Sequence, residues 1–135
     1  MFDMKKDKVG RIITNNVRLE PHEYETVIFL ANLGKTIELI PPSNTPHNSR
    51  ADFAMDNLVW ESKSPTGNST RMTIDRILHK AVKQSENIVI DLRRTKIPDT
   101  QSIRYIKERF IRSRRIRRLL VVTRAEELLD FRKRS

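Results

Sequence analysis

The stretch from Ala51 to Lys63, A-D-F-A-M-D-N-L-V-W-E-S-K, constrains this chain most. It reads as two short strands joined at Asp56-Asn57. Asp and Asn tolerate the positive φ angles that a tight type I′ hairpin turn needs. The turn fixes the register: Met55 faces Leu58, Ala54 faces Val59, Phe53 faces Trp60 and Asp52 faces Glu61. Directly opposed residues share a face, with Cβ atoms ~5 Å apart. Lys63 lies two residues beyond Glu61 and so shares that face. Phe53 and Trp60 form a cross-strand aromatic pair on the other face, which suits a buried sheet side.

Two opposed carboxylates repel and destabilise a sheet. A bound divalent cation reverses the sign of that interaction. Hard cations such as Mg²⁺ take one or two carboxylates together with water and phosphate oxygens. A neighbouring lysine can orient a water or offset phosphate charge. The pattern Asp-x8-Glu-x-Lys on a hairpin therefore reads as a metal-dependent phosphodiesterase centre. It resembles the PD-(D/E)XK nuclease signature, with Ala51 where that motif has proline. The bland alternative is an exposed hairpin carrying ordinary surface charges.

The rest of the chain supplies a setting for that hairpin. At 135 residues the length suits one domain. Residues 1–10 read as a flexible basic lead-in and 11–135 as a single nuclease domain. A short strand is expected within 11–19, with Asn15-Asn16 as a turn. Glu20-Pro21 opens a helix whose apolar stripe is Val27, Leu30, Ala31 and Leu33. Gly34 caps it. The alternation in 35–40 predicts a strand, and residues 43–50 a polar loop. Ser69 or Thr70 starts a second helix, with Ile74, Ile77, Leu78, Ala81 and Val82 at the spacing of one buried face. The run N-I-V-I-D-L at 87–92 reads as a buried parallel strand. Asp99 or Thr100 caps a third helix with Ile103, Ile106, Phe110 and Ile111 inward. A second buried strand follows in 116–123, and an edge strand in 127–132. The alternation implies an α/β sandwich with a mixed central sheet. Its αβββαβ portion has the core order of the restriction-endonuclease-like (PD-(D/E)XK) fold.

Charge narrows the partners. Lys and Arg number 27 against 17 Asp and Glu, a formal net charge of +10. Such an excess calls for a polyanion, an acidic protein or an anionic surface. Arg112, Arg114, Arg115, Arg117 and Arg118 crowd into seven positions. That density suits phosphate-backbone contact, which gives affinity without sequence information. Lys80 and Gln84, expected one turn apart on the second helix, are further candidates for substrate contact. No apolar run is long enough to span a membrane. Cysteine is absent, which excludes disulfides, thiolate metal sites and cysteine nucleophiles. His22, His47 and His79 show no metal-ligand spacing.

The metal ligands expected from this pattern are Asp52 and Glu61, with the Ser62 carbonyl a third donor. Lys63 would polarise water or steady the phosphate. The metal is expected to be Mg²⁺, with Mn²⁺ or Zn²⁺ as alternatives. The fold resemblance implies a further glutamate from the first helix. Glu23 fits best, because Leu30 and Gly34 follow at the spacing of resolvase-like members, with Glu20 and Glu25 as competitors.

Three segments, W-E-S-K-S-P-T-G-N-S, H-K-A-V-K-Q-S-E-N-I-V-I-D-L and R-R-L-L-V-V-T, resemble the C-terminal toxin domain of contact-dependent growth inhibition proteins of the CdiA tRNA-nuclease type. That resemblance covers roughly residue 20 to the end. It implies a PD-(D/E)XK fold, metal-dependent cleavage of tRNA in the cytoplasm, and an acidic cognate immunity protein. A homodimer is a further arrangement that fold relatives suggest. Two other readings compete. One is a DNA endonuclease of resolvase or restriction type. The other is a non-catalytic module that binds nucleic acid or an immunity protein.

Overall fold

The computed structural model describes residues 9–42 and 51–133. The first eight residues of the expected lead-in, the loop 43–50 with His47, and the last two residues lie outside the described part. Within it run β1 (Ile12–Ile13), α1 (Pro21–Asn32), β2 (Ile37–Leu39), β3 (Phe53–Met55), β4 (Leu58–Lys63), α2 (Thr70–Ala81), β5 (Asn87–Asp91), α3 (Asp99–Arg112), β6 (Arg118–Val122) and β7 (Leu128–Arg132). The expected order of elements is present.

The seven strands form one mixed sheet in chain order. β1 pairs parallel with β2, β2–β3 and β3–β4 are antiparallel, β4–β5–β6 are parallel, and β7 closes the edge antiparallel. Alternation along β5 and β6 divides the core. Val89, Leu120 and Val122 pack with Val27, Leu30 and Ala31 of α1. Ile88, Ile90, Leu119 and Val121 pack with Ile74, Leu78, Ile106 and Phe110 of α2 and α3. The sheet is thus covered on both faces, which explains why these two strands read as continuous apolar runs.

Local chemistry sets the ends of α1. Pro21 occupies its first position, and the Glu20 backbone N–H donates to Glu23 Oε1 at 2.8 Å, one half of a capping box. At the other end Gly34 has φ 95°. Its N–H reaches the Ala31 carbonyl at 2.9 Å, and the Lys35 N–H reaches that of Leu30 at 3.2 Å. This is a Schellman closure, which requires the left-handed residue that glycine supplies.

Several sequence expectations need correction. Leu33 is the C-cap of α1, and at 51% exposure it lies outside the buried stripe. Ile111 is also exposed, because Ile106 and Phe110 already fill the inward positions of α3. α3 begins after Pro98, so Asp99 lies inside the helix rather than capping it. Its carboxylate instead accepts the Arg124 and Ala125 N–H groups at 2.9 and 3.1 Å, tying α3 to the β6–β7 turn. α2 ends at Ala81, so Gln84 sits in the following turn and not one helical turn from Lys80. Gly10, assigned to the lead-in, belongs to the folded body: its N–H bonds the Ala31 carbonyl at 2.7 Å.

Candidate active site on the central hairpin

The hairpin turn is built as its residues dictate. Asp56 and Asn57 have φ 55° and 63°. The observed register pairs Met55 with Leu58, Ala54 with Val59 and Phe53 with Trp60. Phe53 and Trp60 are fully buried in the α1-side core. The Trp60 indole N–H donates to the Met55 carbonyl at 2.9 Å, satisfying a polar group that burial would otherwise penalise.

Asp52 lies one residue before β3. Its backbone N–H bonds the Trp60 carbonyl at 2.8 Å, and its carbonyl accepts the Ile40 N–H at 3.0 Å. Both neighbouring strands therefore hold it in place opposite Glu61. Its Oδ2 accepts the Ser62 N–H at 2.8 Å. Glu61 pairs with Ile88 in the parallel register and so projects toward the α2 side of the sheet. It is only 5% exposed. Lys63, two residues on, places Nζ 3.1 Å from Glu61 Oε2.

The electrostatics are those of an over-supplied acidic pair. Burial pushes the Glu61 carboxyl up to about 7, and the nearby Asp52 charge adds to it, against the opposing pull of Lys63. Asp52 is also raised, first by burial and further by the Glu23 charge, although the Ser62 N–H works the other way. Glu61 Oε1 is buried and has no hydrogen-bond partner among the described residues. A buried carboxylate oxygen without a donor is costly. A divalent cation held between Asp52 and Glu61 would satisfy it and relieve the repulsion, so the donor set fits a hard metal ion. No cluster of three or more His, Cys, Asp or Glu side chains gathers among the described residues.

Glu23 enters from α1. It borders a narrow cleft together with Asp52, Phe53 and Ser62. It also lines a larger cavity of about 280 Å³ whose walls include Ser62, Lys63, Ser64, Arg76 and Lys80. The two openings thus meet at Glu23 and Ser62. Glu23 caps its own helix as well, so the charged first turn and the site share one carboxylate.

A buried polar link fixes α1 over this end of the sheet. Thr26 Oγ1 donates to Asp91 Oδ2 at 2.7 Å. Arg93 grips the same carboxylate through Nε and a terminal nitrogen, donates to the Glu25 carbonyl at 3.1 Å, and lies over the Phe29 ring. Burial pushes Asp91 up, but the Arg93 and Thr26 hydrogen bonds outweigh it and hold the carboxyl below its usual value. Sequence reasoning missed this network, because nothing local announces a contact between residues 26 and 91.

Of the expected substrate-contacting residues, Lys80 reaches the cavity and Gln84 does not line it. The arginine run lies elsewhere. Arg118 pairs with Asn87, the first residue of β5, whereas Lys63 pairs with Ile90 near the strand's other end. Arg118 is committed to Asp130 at 2.9 Å and covers Trp60. Arg115 donates to the Val82 carbonyl at 3.2 Å. Arg112, Arg114 and Arg117 are exposed, and none of the five lines the cavity. Arg76, which does, is not among the residues expected from the sequence to contact substrate. The signal that could have found it was its i, i+4 spacing from Lys80.

Among the described residues, a mixed seven-stranded sheet with three helices, carrying the opposed Asp52 and Glu61 on its β3–β4 hairpin, defines an α/β domain. The family model of the contact-dependent growth inhibition CdiA C-terminal domain matches residues 49–128, and the chain belongs to that family. Among solved structures, the chain is similar to one described as "CdiA-CT/CdiI toxin and immunity complex from Burkholderia pseudomallei". The TM-score is 0.72 at 17% identity, with 92% of this chain and 100% of that one covered. No curated protein matches the chain.

Proposed function

We propose that the chain is the toxin domain of a contact-dependent growth inhibition system and a metal-dependent endonuclease that hydrolyses phosphodiester bonds in tRNA. The observation that carries this reading is the Asp52–Glu61 pair, with a buried, unpartnered Glu61 oxygen and Lys63 Nζ 3.1 Å from the other. Family membership and the solved toxin–immunity neighbour support it. So does the element order α1-β2-β3-β4-α2-β5, which follows the αβββαβ core of PD-(D/E)XK nucleases.

Asp52 and Glu61 would hold the cation, Mg²⁺ in this reading. When bound, such an ion stabilises charge on the phosphate and lowers the pKa of a coordinated water. The remaining work falls to the chain's own groups. The Ser62 N–H orients the Asp52 carboxylate. The Lys63 ammonium neutralises phosphate charge and positions the attacking water. Glu23 adds negative charge at the junction of the two openings, which favours cation occupancy. Arg112, Arg114 and Arg117, at the other end of the sheet, give a large folded RNA a second set of phosphate contacts. An immunity protein of acidic character is the expected partner of so basic a chain, and the cytoplasm, where tRNA resides, the place of action.

The experiment is incubation of the purified chain with total tRNA and, separately, plasmid DNA, in Mg²⁺ or EDTA, beside Asp52→Ala. Mg²⁺-dependent loss of tRNA that the variant lacks is the expected result. Preferential loss of DNA would transfer the same chemistry to a DNA endonuclease. Tight, salt-sensitive binding with no turnover on either substrate would overturn the enzymatic reading.

A further inference from the structure

The cavity of about 280 Å³ beside the acidic pair has a charge pattern of its own. Its α2 wall carries Arg76 and Lys80, one helical turn apart. Both are exposed, and neither has an ion-pair partner among the described residues. Lys63 and His22 add further basic groups, against a single acid, Glu23. Ser64 also borders it, and the Ser64 hydroxyl is buried without a hydrogen-bond partner among the described residues. Farther along the same helix pair, Arg109 of α3 does pair, with Asp75 at 3.2 Å. The cavity wall is therefore mostly basic, and it meets the narrow cleft that Asp52 borders at their shared residues, Ser62 and Glu23.

We infer that Arg76 and Lys80 form a separate phosphate subsite, which holds a phosphate next to the one cut at Asp52 and Glu61. The inference rests on the nuclease reading and deepens it. A substrate must then carry at least two neighbouring phosphates in one strand, so the subsite selects polynucleotide chains over nucleoside monophosphates and favours internal cuts. The geometry supplies the reason. A cation between the carboxylates and the Lys63 ammonium neutralise one phosphate only. Two unpaired cations a helical turn apart, lining the same opening, have charge left for another. The guanidinium offers a planar fork for two phosphate oxygens, and the lysine a point charge.

Linkage-by-linkage neutralisation tests this. A fluorescein-labelled single-stranded RNA decamer, and a set in which one phosphate at a time is replaced by an uncharged methylphosphonate, is titrated with the chain in EDTA and low salt. Anisotropy reads binding, so no turnover is required. Neutralising one particular linkage should weaken wild-type binding about tenfold. Arg76→Ala/Lys80→Ala should bind the unmodified decamer about tenfold more weakly and show no further loss at that linkage. Arg76→Lys, which keeps charge but not the fork, should fall between. Both positions are exposed, so circular dichroism spectra should be unchanged. Equal losses in wild type and the double variant at every linkage, or no sensitive linkage at all, would overturn the subsite. Binding that behaves as expected while tRNA and DNA both survive Mg²⁺ would keep the subsite and remove the nuclease reading, so the two failures are distinguishable.

Discussion

Replacing Glu61 with Gln should make the metal-free protein more stable while disabling its site. A carboxyl raised from 4.5 to about 7 costs the folded state about 3 kcal/mol at pH 8, at ~1.4 kcal/mol per pH unit. The favourable pairing with Lys63 is already contained in that net value. The sign follows from the raised value. Below pH 4.5 the group is protonated in both states and nothing is lost. Between pH 4.5 and about 7 the unfolded chain gives up its proton first, so stability falls as pH rises. Asp52, raised as well, pushes the same way. Asp91, held low by Arg93 and Thr26, loses its contribution only below pH 3.8, outside this window.

In EDTA the wild-type chain should therefore melt on the order of 10 °C higher at pH 5 than at pH 8 from this group. Glu61→Gln should flatten most of that difference. Mg²⁺ at pH 8 should restore stability to the wild type by mass action, and should do nothing for the variant. Thermal denaturation followed by circular dichroism at both pH values, with EDTA or Mg²⁺, gives all the required comparisons. A wild type with equal melting temperatures at pH 5 and pH 8, or a variant that keeps the full slope, would refute the argument that the buried acidic pair is strained.

Three further outcomes follow from particular contacts. Asp91→Asn should cost about 2–3 kcal/mol, because Arg93 loses a charged acceptor and the Thr26 hydroxyl a strong one; the urea midpoint reads it. Gly34→Ala should cost about 1 kcal/mol through strain at φ 95°, with the same midpoint as readout and unchanged tRNA binding. Arg114→Glu/Arg117→Glu should weaken tRNA binding and lower the magnitude of its log–log salt slope by about 1 per lost contact, without altering Mg²⁺ affinity; an unchanged slope would remove this turn from the nucleic-acid surface.

What the sequence disclosed was what is local. The Asp-Asn turn sets the hairpin register by its φ angles alone, and with it the opposition of Asp52 and Glu61 and the shared face of Lys63. Pro21 and Gly34 mark the ends of α1 for equally local reasons. Helix faces were less secure: Ile111 fits the apolar spacing of α3, yet it is exposed while Ile106 and Phe110 are buried. Asp99 looks like a cap, yet its carboxylate serves a turn 25 residues away. The Thr26–Asp91–Arg93 link and the gathering of Arg76 with Lys63 join distant segments, and no periodicity reports such contacts. The arginine run was visible as a charge density, but its place at the opposite end of β5 and β6 from the cavity depends on strand register.

The most direct test of the central claim, that Asp52 and Glu61 hold one divalent cation, is calorimetric titration of Mg²⁺ into the wild-type chain and into Asp52→Ala and Glu61→Gln at pH 8. One saturable site in the wild type, absent from both variants while they remain folded, is the predicted result. Unchanged binding in the variants, or no saturable binding in a folded wild type, would contradict the account.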